Sequence, residues 1–174
     1  MADPSSKVRF ISHTALYLSL AVLLPIAFHA LGTAGRIFLP MHIPVLLAGF
    51  LIGPGGGFLV GLLAPGLSNL LTGMPPTYAV ALMTLELPVY GLAAGVTYRR
   101  WRLNIYLALL IAMILGRIMF ALSLLLLADF INLPYTAAMY FSAGGALVAG
   151  LPGIFLQLVI IPIIIKAIKR HRRV

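Results

Sequence analysis

The sequence predicts an all-α integral membrane protein of six transmembrane helices, with both termini cytoplasmic and with short, broken second and third spans. Three observations carry this. The 174 residues are 62% hydrophobic and only 9% charged, where an average soluble domain is about a quarter charged. The mean hydropathy is +1.11, and no polar stretch is long enough to build a soluble domain. The cations cluster between and beyond the apolar runs, as in loops kept in the cytoplasm. The whole chain, 1–174, reads as a single transmembrane domain.

Residues 1–9 form a short polar lead containing Lys7 and Arg9. The apolar run Ile11–Leu31 is the first span, since about 20 residues cross about 30 Å of hydrocarbon. It is too long for a signal-peptide core and lacks a cleavage site, so it is expected to be retained. Pro25 kinks it. Ala15 and Ser19 form a small-xxx-small pair at which another helix can approach closely. Gly32–His42 is a connector rich in Gly and Pro.

Ile43–Thr72 reads either as one long span or as two short ones folded at Gly53-Pro54-Gly55-Gly56-Gly57. With two spans, the N-terminus, the Arg99–Arg102 loop and the basic tail share one side, and the positive-inside rule favours that count. Both spans are then expected to be shorter than the usual minimum and in part to line a cavity, because lipid-exposed backbone cannot be broken so often. Gly73–Thr77 is a tight outer turn. Tyr78–Tyr98 is the fourth span, Leu103–Leu127 the fifth, and Tyr140–Ile165 the sixth, with Gly145, Ala149 and Gly153 on a small-residue face and Gln157 beyond them. Ala128–Met139 is an outer loop.

The net charge of +9 is a topology signal with a contact to anionic lipid headgroups, not a nucleic-acid surface. With no cysteine, disulfides, thiol catalysis and thiolate metal sites are excluded. The three acids cannot furnish a paired-carboxylate or metal centre, and no HExxH, GxSxG or P-loop motif occurs. No enzyme activity, cofactor or metal is expected. Any transport must draw its energy from a partner.

Charges inside spans are costly unless paired or hydrated, so they mark function. Glu86 and Arg117 lie about 9 and about 10 residues in from the outer ends of their spans, so their depths match at about 1.5 Å per residue. Two readings are open: a structural bridge, or contact with a polar ligand. Arg36 sits on the non-cytoplasmic side, against the charge rule, and with His42 flanks the first outer loop. Both can snorkel to the interface or face a substrate. Asn69 either lines a cavity or caps the Gly73-Met74-Pro75-Pro76 turn. Asp129 reads as a loop acid or a gate residue. Tyr90 is an interfacial aromatic or a stacking surface for a ring.

The phrases Pro40-Met41-His42-Ile43-Pro44-Val45-Leu46-Leu47-Ala48-Gly49, Gly53-Pro54, Leu71-Thr72-Gly73-Met74-Pro75-Pro76, Glu86-Leu87-Pro88-Val89-Tyr90-Gly91-Leu92 and Gly116-Arg117 follow one another along nearly the whole chain. In that order they resemble the substrate-binding S components of energy-coupling factor (ECF) transporters. The resemblance implies a high-affinity vitamin-binding subunit in a bacterial-type plasma membrane. It also implies docking on a transmembrane T component powered by two ATPase subunits, with import by toppling of the S component. The family docks through an Ala-xxx-Ala pattern on the first span, where this chain has Ala15 and Ser19. Candidate substrate contacts are Arg36, His42, Asn69, Glu86, Tyr90 and Arg117. An arginine in a dry pocket suits a carboxylate or phosphate. A small polar vitamin with an acid group, pantothenate-like, fits best, and a hydroxylated heteroaromatic is next. The alternative is an MreD-like membrane scaffold that binds proteins and transports no small molecule.

Overall fold

A computed structural model of the protein describes residues 4–29, 38–127, 130 and 150–171. Every regular element among the described residues is helical: α1 (Pro4–His29), α2 (His42–Leu51), α3 (Pro54–Thr72), α4 (Thr77–Gly95) with a π-helical extension (Val96–Arg100), α5 (Ile105–Leu127) and α6 (Leu151–His171). Five of these are long and apolar enough to cross a membrane.

The element boundaries differ from the sequence reading for α1 and α3 and match it for the short α2. First, α1 begins at Pro4, seven residues before the apolar run. Proline is tolerated at a helix start because its missing N–H has no partner there, and nothing between it and Pro25 interrupts the helix. Pro25 sits inside α1 without ending it.

Second, α2 has only 10 residues, about 15 Å of rise, so it does not cross a bilayer alone. Its surroundings replace lipid on every side: His42 to Phe50 are all buried, and Val45, Leu46 and Ala48 have no exposed surface. A helix apolar all round belongs at the centre of a bundle, and α2 packs on α1, α3, α4 and α6.

Third, α3 has 19 residues and is a full-length span despite Pro65. Its buried residues, Gly56, Gly57, Val60, Gly61, Ala64, Pro65 and Ser68, recur at helical spacing and are small, so one face of α3 lies flat against its neighbours. The remaining corrections are slight. The fifth span starts at Ile105, where the Asn104 side chain accepts the Leu107 N–H at 2.8 Å in an N-cap. Of the sixth span, the portion from Leu151 is described, and Gly145 and Ala149 fall outside the described residues.

The predicted fold-back at Gly53 is present. Gly53 has φ of +123°, a region open to glycine, and Pro54 then starts α3. The chain reverses there, bringing Gly57 back beside Gly49. The Gly91 carbonyl of α4 closes against both, and a Cβ on any of the three would collide with backbone. Gly61 likewise lies on the backbone of Leu87 and Pro88, and Gly95 on that of Gly53 and Pro54. Three helices therefore meet with no side chain between them. Close approach through small residues is the usual way helices associate where lipid removes the hydrophobic driving force.

Each end of the bundle is closed by polar contacts. At one end Gly73, with φ of +72°, caps α3 by donating its N–H to Asn69 O at 2.8 Å. The turn that follows is held by the Ser68 hydroxyl on Met74 O at 2.8 Å and the Asn69 amide on Pro75 O at 2.7 Å. At the other end Arg99 donates to Leu51 O and Ile52 O, covering carbonyls left over at the end of α2.

Candidate functional site

Glu86 is the only acid among the described residues, since Asp3 and Asp129 fall outside them. It sits on the inner face of α4 with 2% of its surface exposed. A carboxylate so placed must be paired. Its Oε1 lies 3.5 Å from Arg117 Nη1 on α5 and 3.7 Å from His42 Nε2 at the start of α2. Only the arginine contact is a hydrogen bond; the imidazole stands just beyond reach.

Tyr90, one helical turn after Glu86, presents its ring to the His42 edge with centroids 5.0 Å apart and planes at 84°. Gly116 lies directly on the same ring, and a Cβ there would overlap it. The Gly116-Arg117 pair thereby acquires a physical meaning. Glycine lets α5 close onto Tyr90, and that closeness brings the next residue's guanidinium to Glu86.

His42 is the unusual member. It is 2% exposed, and neither ring nitrogen has a hydrogen-bond partner in the structure. A buried polar group left unsatisfied costs about 1–3 kcal/mol, so such groups call for an explanation. The first N–H groups of α2 are already used, His42 N–H on Leu39 O at 3.1 Å and Ile43 N–H on Pro40 O at 3.4 Å, and Pro44 has none. The His42 ring is thus a donor that α2 offers at this end. Arg117 is the most open of the set, with 16% of its side chain exposed.

The cluster is deep. It stands about 15 Å from the end of α2 that Arg99 caps, and Glu86 is about 20 Å along α4 from Arg99.

Of the residues singled out in the sequence, the structure brings together His42, Glu86, Tyr90 and Arg117. Asn69 stands apart in the last turn of α3, with its amide nitrogen on Pro75 O. Arg36, Asp129, residues 30–37 of the connector and most of the outer loop fall outside the described residues. Ala15 and Ser19 are both exposed on α1, and the Ser19 hydroxyl folds back onto Ala15 O at 3.0 Å. The small-residue surface there is thus free of projecting polar atoms. One further polar group was not counted among the site residues. Gln157 on α6 is 1% exposed, and its Nε2 has no hydrogen-bond partner. An amide within the apolar run Leu151–Ile165 was its signal in the sequence. Among the described residues no group of three or more metal-ligating side chains occurs.

A family model described as "ECF transporter, substrate-specific component" matches residues 9–165. The chain belongs to this family. It is a multi-pass membrane protein, and its family are the substrate-binding subunits of ECF importers, which associate with T and ATPase subunits. Comparison with curated proteins and with solved structures gives no match.

Proposed function

We propose that this ECF substrate-specific component binds a small polar vitamin bearing an acid group, pantothenate-like in its chemistry, at the cluster around Glu86. The observation that carries the reading is the buried His42 ring with both nitrogens unsatisfied, 3.7 Å from a carboxylate that Arg117 also faces. A ligand carboxylate between His42 and Arg117 takes up donors of both, and charge-assisted bonds of this kind are the strong ones. A hydroxyl or amide N–H of the same ligand donates to Glu86. Gln157 on α6 adds a buried amide nitrogen without a hydrogen-bond partner. Tyr90 forms the floor: its ring packs on Gly116 and stands nearly perpendicular to the His42 ring, which leaves little free face for stacking and favours the acid-bearing ligand over a heteroaromatic one. Asn69 serves the fold there by holding the turn that carries Pro75.

The clusters Lys7/Arg9, Arg99–Arg102 and Lys166–Arg173 then lie on the cytoplasmic side of the plasma membrane with both termini. The exposed Ala15–Ser19 surface of α1 meets the T component, and two ATPases drive import.

The test is native mass spectrometry of the purified chain against a panel of vitamins, followed by calorimetry with any compound retained. An acid-bearing vitamin held at sub-micromolar concentration is the expected result. Retention only of an uncharged ring compound, or of none, overturns the ligand assignment.

A further inference from the structure

At the end of the bundle opposite the His42 cluster, a cleft of about 420 Å³ opens between the end of α2, the π-helical turn and α6. It is within the size range of small-ligand sites, about 300–1,000 Å³. Arg99, Arg102 and Lys169 bring three cations to it, and Phe50, Leu103 and Ile168 supply an apolar lip. We infer that this cleft is a binding site for the phosphate of an anionic phospholipid.

Charge bookkeeping is the first argument. Glu86 is the only described acid, and it lies about 20 Å away along α4, engaged with Arg117. No carboxylate among the described residues balances the three cations, which leaves the cleft a strongly positive one. The second argument is that two of the three cations are held in place. Arg99 is fixed on the carbonyls of Leu51 and Ile52. Lys169 donates to the Tyr98 hydroxyl and lies 4.5 Å over its ring, and Tyr98 is in turn braced edge-on by Phe50 at 5.1 Å. A topology signal needs basic residues on one side of the membrane; it does not need them oriented around one concavity.

The third argument selects lipid over an acidic protein or a free anion. Trp101, exposed between Arg100 and Arg102, marks the headgroup level, where indole rings collect. At that level the apolar lip gives an acyl chain a path that a soluble anion has no use for. Arg9 and His13 line a second cleft of about 320 Å³ on the far side of Arg99, so the positive field continues around the bundle.

The experiment is native mass spectrometry of the full chain from detergent containing equal dioleoyl phosphatidylglycerol and dioleoyl phosphatidylcholine. Each cation near the surface is worth about 1 kcal/mol, or roughly fivefold, toward an anionic lipid. The wild type should retain phosphatidylglycerol preferentially, and Arg102→Gln with Lys169→Ala should lower that preference by roughly 25-fold. Arg102→Gln alone, at an exposed position, should lower it about fivefold and provides the reading if the double variant does not purify. Arg100→Gln with Arg170→Gln removes equal charge outside the cleft and should lower the preference by clearly less than the cleft pair does. An equal fall in that control, no preference in the wild type, or displacement of the lipid by millimolar inorganic phosphate overturns the proposal.

Discussion

Replacing Arg117 by Met and Glu86 by Gln, singly and together, separates the two readings of their contact. Arg117→Met leaves the Glu86 carboxylate buried, 2% exposed, with His42 as its nearest charged or polar neighbour. Breaking a buried ion pair by removing one partner costs about 3–5 kcal/mol. The contact is a single long bond of 3.5 Å, and the Arg117 side chain is 16% exposed, so the lower figure, about 3 kcal/mol, applies. For a chain of this size that is a fall of roughly 6–12 °C in Tm. Glu86→Gln leaves a partly hydrated guanidinium beside a neutral amide and costs less, about 1–2 kcal/mol. The double variant buries neither charge and should return to within about 1 kcal/mol of the wild type. Circular dichroism at the helix band reads these transitions without a thiol dye, which a protein lacking cysteine cannot take. The refolded double variant is then tested for the vitamin, and binding should fall at least tenfold, since a hydrogen bond to a charged group contributes about 1.5–3 kcal/mol. A double variant that binds like the wild type refutes the ligand role. A Tm change below about 2 °C for Arg117→Met, less than 1 kcal/mol, refutes the buried-pair reasoning.

Three more outcomes follow from the contacts described. Gly91→Ala places a methyl against the Gly57 backbone, which cannot move aside as a side chain can; a loss of at least 1–3 kcal/mol, read as a lower Tm and a broadened size-exclusion profile, is expected. Asn69→Ala removes the bond to Pro75 O and should lower stability by about 1 kcal/mol while leaving vitamin affinity unchanged by calorimetry. Ala15→Leu with Ser19→Leu, on an exposed face of α1, should leave the melting curve of the isolated subunit within about 2 °C but abolish co-purification with the T component.

Hydropathy, the charge clusters and the Gly53-Pro54 break were enough to read the helices and their order, because each is a property of neighbours along the chain. Element lengths were less legible. The apolar run of α1 was visible, but its extension back to Pro4 depends on Lys7 and Arg9 being tolerated in a helix whose first turns are exposed. That α2 is short and wholly buried, while α3 crosses in full, depends on what surrounds each of them. The Glu86–Arg117 contact was legible because matched depth is a one-dimensional argument. The approach of His42 to Glu86 was not, since it depends on α2, α3 and α4 meeting through Gly49, Gly57 and Gly91. Asn69 showed both of its possible roles in the sequence, and only the position of Pro75 O assigns its amide. Gln157 was visible as a lone amide in an apolar run, but nothing in the sequence distinguishes a buried face of α6 from one turned to lipid.

The glycine contact between α2, α3 and α4 divides the molecule into two regimes. Toward Arg99, helices touch main chain to main chain, so the fit there is independent of which side chains the protein carries elsewhere. The main-chain contact runs on to Gly61 against Leu87, and around His42 and Arg117 the spacing is set by side chains, the Tyr90 ring on Gly116 among them. On the proposed ligand assignment, such a subunit changes its cargo by local substitution around Glu86 while presenting the same rigid base to whatever machinery receives it.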